Sequence, residues 1–380
     1  MVVGMIHVGG VTRLTQSGLS MTTWSPLGSL PPITQEEWEK EFARYKTYPE
    51  WQQRQSMTLS DFKFIYGWEY GHRMLGRAVG ICFAVPWMYF TARGMIPKGY
   101  QGRMYGLLTM GGTQGLVGWW MVKSGLGDDR RGDRKEIRVR PIRLAAHLSM
   151  ALATYGALVW TGLDIFGLPH KVPQMKELIS NMSKEALRQA RVLRIKSFTL
   201  TGLTFLTVAS GALVAGNDAG RAYNTYPKMG DEWIPSEIME LVPWQRNLTE
   251  NTATVQFNHR ILGASTAITA ISLAAIGLSP SRAAALTPQA RKGLYAVAAA
   301  ATAQASLGIA TLLAYVPLSL AAAHQLGSIV VFTSSLYLGH ALRYARPALL
   351  RTAAARPATA TATTKAPSID PATIAAKAVK

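Results

Sequence analysis

The sequence predicts an all-α integral membrane protein of eight transmembrane helices, arranged as two pseudo-symmetric four-helix bundles produced by duplication. Three observations carry this. Only 16% of the 380 residues are charged, against about 25% in an ordinary soluble protein. Hydrophobic residues reach 48% while mean hydropathy is only +0.10, so apolar and polar residues are segregated into blocks. Motifs from the first half also recur in order in the second.

A membrane-spanning helix needs roughly 20 mostly apolar residues. Runs of about 19–25 such residues begin near positions 64, 104, 142, 197, 257, 294 and 319. An eighth run, residues 1–12, ends at Arg13. At about 1.5 Å per residue it is too short for a ~30 Å hydrocarbon core, and it reads as a truncated first helix. The organisation expected is an N-terminal bundle at 1–163, a basic interbundle loop at 164–196, a C-terminal bundle at 197–342 and a disordered tail at 343–380. Between the first two runs, residues 28–60 are polar but hold Trp38, Tyr45, Tyr48 and Trp51, which predicts a folded amphipathic cap at the interface.

The formal charge of +19 fits either a nucleic-acid binder or a membrane protein with basic loops on one side. The basic residues lie in short interhelical loops without interleaved aromatics, so a nucleic-acid module is not expected. Loops after the second, fourth and sixth runs, with the tail, hold 20 Lys and Arg. The opposite-side loop at 217–256 holds three, against six acids. This asymmetry places both termini on the cytoplasm- or matrix-equivalent side. The loop at 123–140, with seven basic residues and four acids, runs against it. A single cysteine, Cys82, excludes an intramolecular disulfide and a cysteine-cluster metal site.

The repeat carries the chemistry. His72-Arg73-Met74-Leu75-Gly76 recurs as His259-Arg260-Ile261-Leu262-Gly263, 187 residues later. Tyr105, Gln114 and Gly118 recur as Tyr295, Gln304 and Gly308 at the same spacings. Ala145-Ala146-His147 after Pro141 recurs as Ala322-Ala323-His324 after Pro317, and Gly18 and Trp24 are echoed by Gly220 and Tyr226. Each half thus supplies two histidines, on its second and fourth helices. Neutral imidazole is a good iron ligand, and two facing imidazoles make a bis-histidine haem site in a bundle core. Small neighbours such as Gly71, Gly76, Ala146 and Ala323 would give a flat macrocycle room. The plainer reading is four polar residues making interhelical hydrogen bonds, and four at repeated positions weigh against it.

Glu69 breaks the symmetry. It lies three residues before His72, on one helical face, where the second half has Gln256. It is the candidate catalytic group, able to shuttle protons or steer an oxidised intermediate. Alternatively it pairs with Arg73 or Arg77. Arg73, Arg77 and Arg260 could each hold a haem propionate or snorkel to the interface. His7 reads as packing in the short first run, His170 as a loop residue, and His340 as a cation suited to a helix end.

Gly9-Gly10-Val11-Thr12-Arg13-Leu14-Thr15 running into Ser17-Gly18-Leu19-Ser20 resembles the first-helix signature of the haem A synthase family. Glu69-x-x-His72-Arg73-x-Leu75-Gly76 and Asn258-His259-Arg260-x-Leu262-Gly263 resemble its histidine motifs. The resemblance covers roughly residues 4–342 and is closest to the mitochondrial and alphaproteobacterial branch, type 2, which lacks the outer-loop cysteine pair of some bacterial members. It implies an inner-membrane enzyme, mitochondrial or bacterial, that oxidises a methyl group of haem O to the formyl group of haem A for cytochrome oxidase. It further implies that His72 and His147 hold the substrate haem, that His259 and His324 ligate a permanent haem b, and that Glu69 is the catalytic acid. The partners implied are a ferredoxin-type electron donor, haem O synthase, cytochrome oxidase assembly factors, membrane lipid and a second copy of the chain. The competing function is a transmembrane di-haem electron carrier of the cytochrome b561 type, which Glu69 and the large loop at 28–60 disfavour. A transporter would need more intramembrane acids than the spans provide.

Overall fold

The computed structural model describes residues 1–23, 25, 28–126, 137–166 and 173–354. Thirteen α-helices follow in order: α1 (Val2–Leu14), α2 (Gln35–Lys46), α3 (Leu59–Ala92), α4 (Gln101–Lys123), α5 (Pro141–Phe166), α6 (Pro173–Ser180), α7 (Lys184–Gly216), α8 (Asn247–Glu250), α9 (Thr252–Gly277), α10 (Pro280–Ala283), α11 (Pro288–Leu313), α12 (Leu318–Ala341) and α13 (Ala345–Ala354). No strand occurs among the described residues, only an isolated bridge between Met229 and Glu232. Among the described residues five helices, α3, α5, α7, α9 and α11, are long and apolar enough to cross a membrane. Against the eight spans expected, α4 and α12 have the length (23 and 24 residues) but less apolarity. Gln114 on α4 and His324, Gln325 and His340 on α12 lie within them. The 13-residue α1 is short, as its sequence indicates.

Two boundaries differ from the sequence expectation. The segment 164–196 is not simply a loop, because α7 begins at Lys184. Ser183 caps it by accepting from the Ala186 N–H, and Leu187 and Ala190 are fully buried on one face. The tail also starts folded. Ala345 and Ala348 of α13 join Tyr344 in the core cluster of α7, α9, α11 and α12. The rest of the expected tail, from 355, lies outside the described residues, as do His170 and most of the 123–140 loop.

The cap is present. Thr34 and Glu37 form a reciprocal capping box that starts α2, and Thr58 and Asp61 form another that starts α3. Between them Trp38, Phe42, Tyr45 and Trp51 pack on Phe62 and Tyr66 of α3. Glu50 sits beneath this cluster, accepting from the Tyr45 hydroxyl at 2.9 Å with Arg54 at 3.5 Å. Burial pushes the Glu50 carboxyl up to about 6, against the pull of Arg54. The folded protein therefore binds more protons than the unfolded chain between pH ~4.5 and ~6. Cap stability should fall by about 2 kcal/mol as pH rises through that window and stay level above it. Hydrogen exchange of residues 35–53 against pH checks this, and Glu50→Gln should flatten the profile.

The two halves meet through α1 on α12 and α5 on α7. Gln325 of α12 donates to the Ile6 carbonyl at 3.1 Å, directly over Gly10, where any Cβ would collide with it. Arg13, at the end of α1, donates to the Ala215 carbonyl at 2.6 Å and pairs with Asp218 at 3.2 Å. A cation thus completes the C-terminus of α7. At the other end, Asp164 of α5 is buried and accepts from Arg103, Arg343 and His340. His340 is accordingly not an interface cation. It is 3% exposed, 3.0 Å from Asp164 and edge-on to Trp160.

Candidate haem-binding sites

All four histidines sit near the starts of α5, α9 and α12 or in the first half of α3, so both pairs lie toward the same end of the bundle. His72 faces His147 with ring centroids 6.5 Å apart and planes at 74°. His259 faces His324 at 6.5 Å and 89°. Each ring lies on a glycine. A Cβ on Gly9 would come within 2.7 Å of His72, on Gly118 within 3.0 Å of His147, on Gly211 within 3.1 Å of His259 and on Gly308 within 2.6 Å of His324. Any side chain there would displace the imidazole. Gly9 and Gly211 are separated by 202 residues, the same interval as Gly18 and Gly220.

The ring hydrogen bonds decide which nitrogen is free. Ser210 spends its one O–H on the Thr207 carbonyl at 2.7 Å, so its oxygen accepts from Nδ1–H of His259, also at 2.7 Å. That tautomer leaves Nε2 bare, the form a metal ligand requires. On α4, Gln114 Nε2 donates to the His147 carbonyl at 3.1 Å and lies 3.2 Å from its Nδ1. On α11, Gln304 Nε2 does the same to His324 at 2.8 and 3.0 Å. In both glutamines Oε1 is buried without a partner. Each glutamine thus fixes its imidazole from the neighbouring helix, through the ring and through the main chain of the same residue. The Nδ1 of His72 is buried and has no partner among the described residues. The sequence showed Gln114 and Gln304 as repeated residues without a role, and gave no sign of Ser210.

Glu69 is 2% exposed and fully engaged. Its Oε1 accepts from Arg73 at 2.6 Å, and its Oε2 accepts from the Ser20 hydroxyl at 2.6 Å and the Met21 N–H at 2.8 Å. Of the two readings of Glu69, pairing with Arg73 is therefore realised, and the pair also orders a strap. Arg73 donates to the carbonyls of Met21 and Thr23, and Arg77 to that of Ser25. Gln256 and Arg260 make the neutral counterpart. Gln256 donates to the Ala219 and Tyr223 carbonyls, and Arg260 to those of Tyr223, Pro227 and Lys228. All three arginines thus bind main-chain oxygens.

No group of three or more His, Cys, Asp or Glu residues suited to a metal ion occurs among the described residues. Two donors are too few for a protein-only metal cage but are the number that supplies both axial positions of a haem. The paired rings and their glycine floors therefore fit a haem in each half.

A family model described as cytochrome oxidase assembly protein, COX15-CtaA, matches residues 1–336. The Arabidopsis thaliana protein named "Heme A synthase COX15" is 44% identical over 353 residues, 92% of this chain and 74% of that protein. The Homo sapiens protein of the same name is 45% identical over 345 residues, 90% of this chain and 80% of that one. A Schizosaccharomyces pombe protein named "Heme A synthase-mitochondrial ferredoxin fusion protein" is 38% identical over 366 residues, 90% of this chain and 58% of its own length.

Proposed function

The chain belongs to the haem A synthase family, and from that premise we propose that it oxidises a methyl group of haem O to the formyl group of haem A. Haem A synthesis is the family's activity, and the chain is a membrane protein of it. In the finer reading, His72 and His147 hold haem O, the substrate, in the N-terminal bundle, and His259 and His324 hold a resident haem b in the other. A bound haem b would supply one-electron redox chemistry. The observation that carries this reading is the pair of facing imidazoles in each half, with a buried carboxylate on the ligand helix of only one half.

The chain's own residues divide the work. The four glycines fix how deeply each imidazole sits. Ser210 directs the bare nitrogen of His259 inward. Arg73 and Arg77 tie the strap through Met21, Thr23 and Ser25 over α3, beside the buried Glu69. Ser20 holds an exchangeable proton 2.6 Å from Oε2 of Glu69, making that pair the proton donor and acceptor of the N-terminal site.

The S. pombe fusion joins a synthase and a ferredoxin in one protein by name, which supports a ferredoxin-type electron donor here. Haem O synthase, oxidase assembly factors and a second copy of the chain are the further partners of this reading, in the mitochondrial inner membrane or a bacterial inner membrane. The family relatives lend no support to an electron carrier of the cytochrome b561 type. Extracting the haems from protein purified from cells that make haem O tests the proposal. Haem A or a hydroxylated precursor beside haem b is the expected result. Two haem b per chain with no converted haem would overturn it.

A further inference from the structure

The two histidines on α3 and α9 differ in one contact. His259 Nδ1 is held by the Ser210 hydroxyl, and His72 Nδ1 has no partner although it is equally buried. The residue 202 positions before Ser210 is Val8, beside Gly9, just as Ser210 is beside Gly211. Gly9 and Gly211 place the two rings alike: their Cβ positions are 3.3 Å from Nδ1 of His72 and 3.7 Å from Nδ1 of His259. So at the matching position of the two copies stands a hydroxyl in one and an aliphatic side chain in the other.

We propose that the Ser210/Val8 difference decides which half keeps its haem, with Ser210 as the positioning residue of the permanent site. The inference rests on the reading that both histidine pairs ligate haem. The physical reason lies in what a second hydrogen bond does to a metal-bound imidazole. An acceptor on Nδ1–H fixes the tautomer, stops ring rotation and makes Nε2 a stronger donor. His259 has this before any haem arrives, so its bond to iron is pre-organised and strong. His72 lacks it and is the less constrained, weaker ligand. A substrate that must enter, be oxidised and leave suits the second arrangement, and a cofactor that stays suits the first. The serine works because its own hydrogen is committed to the Thr207 carbonyl three residues earlier, leaving an acceptor oxygen. A serine at position 8 would have the Met5 carbonyl at the same offset and could do the same for His72.

The test uses the full-length chain in detergent or nanodiscs, as wild type, Ser210→Ala, Ser210→Thr and Val8→Ser. Haem release to excess apomyoglobin and the midpoint potential of the retained haem are the readouts. Ser210→Ala should speed release of haem b about tenfold or more and raise its potential, because a weaker donor favours the ferrous state. Ser210→Thr, which keeps the oxygen, should restore both. Val8→Ser should slow release of haem O or haem A by a similar factor, a gain that misfolding cannot produce. Unchanged release and potential in Ser210→Ala, or unchanged release in Val8→Ser, overturns the proposal. Failure of the underlying reading looks different: His259→Ala would then keep its haem b.

Discussion

His259→Ala is expected to strip the chain of the haem b proposed for its C-terminal half while leaving the helices assembled. His259 contributes one of only two donors in its half, and removal of even an outer partner of such a ligand costs 10–100-fold in affinity. Loss of the ligand itself should exceed about a hundredfold, leaving less than one haem b per chain after purification. His72→Ala should differ: haem b is kept and conversion of haem O is lost, because His72 faces His147 and has no part in the His259–His324 pair. Haem extraction and pyridine haemochrome spectra of the two variants distinguish these outcomes. The fold should tolerate both changes, since each ring rests against glycine rather than filling a core cavity.

Glu69→Gln is expected to cost about 10²–10⁴-fold in conversion while haem content is kept. Gln256 occupies the matching place in the second half, but its Nε2 donates to the Ala219 and Tyr223 carbonyls. Glu69 meets only donors, so an amide at 69 leaves one donor unmatched at a cost of about 1–3 kcal/mol. Glu69→Ala should behave differently, since it leaves Arg73 partly buried without its anion and frees the Ser20 and Met21 donors. A loss of about 3–5 kcal/mol and detachment of the strap are expected from that variant. Only the glutamine variant therefore isolates proton chemistry from architecture. Full activity in Glu69→Gln would remove Glu69 from the reaction and leave it a strap anchor.

Much of this was legible in the sequence because it repeats. The four histidines stand out once His72-Arg73 is aligned with His259-Arg260, and the structure brings them together as two pairs. The interaction of Glu69 with Arg73 was legible too, being one helical turn apart. Its other partners were not. Ser20 and Met21 lie 49 and 48 residues away, and no local pattern reports a hydroxyl meeting a carboxylate across a loop. Ser210 was invisible for the same reason, since an interhelical contact 49 residues long leaves no period in the chain. The start of α7 was misread because charge was counted over 164–196 as a block. Lys184, Arg188 and Arg191 share that stretch with Leu187, Ala190 and Leu193, which recur at helical spacing and are buried. His340 was misread because its acid, Asp164, comes from the other half of the molecule.

The straps are fastened through main-chain oxygens, by Arg73 and Arg77 on one side and Arg260 on the other. Every amino acid presents the same carbonyl, so the strap residues can drift without losing their clasp, whereas the arginines cannot be exchanged even for lysine, which lacks the planar fork. Mutational tolerance should then be lopsided. A saturation library ought to accept most substitutions at Thr23, Ser25 and Lys228 and almost none at the three arginines. Two lineages of this protein could carry unrelated straps over the same site, and with them different surfaces toward whatever delivers the substrate.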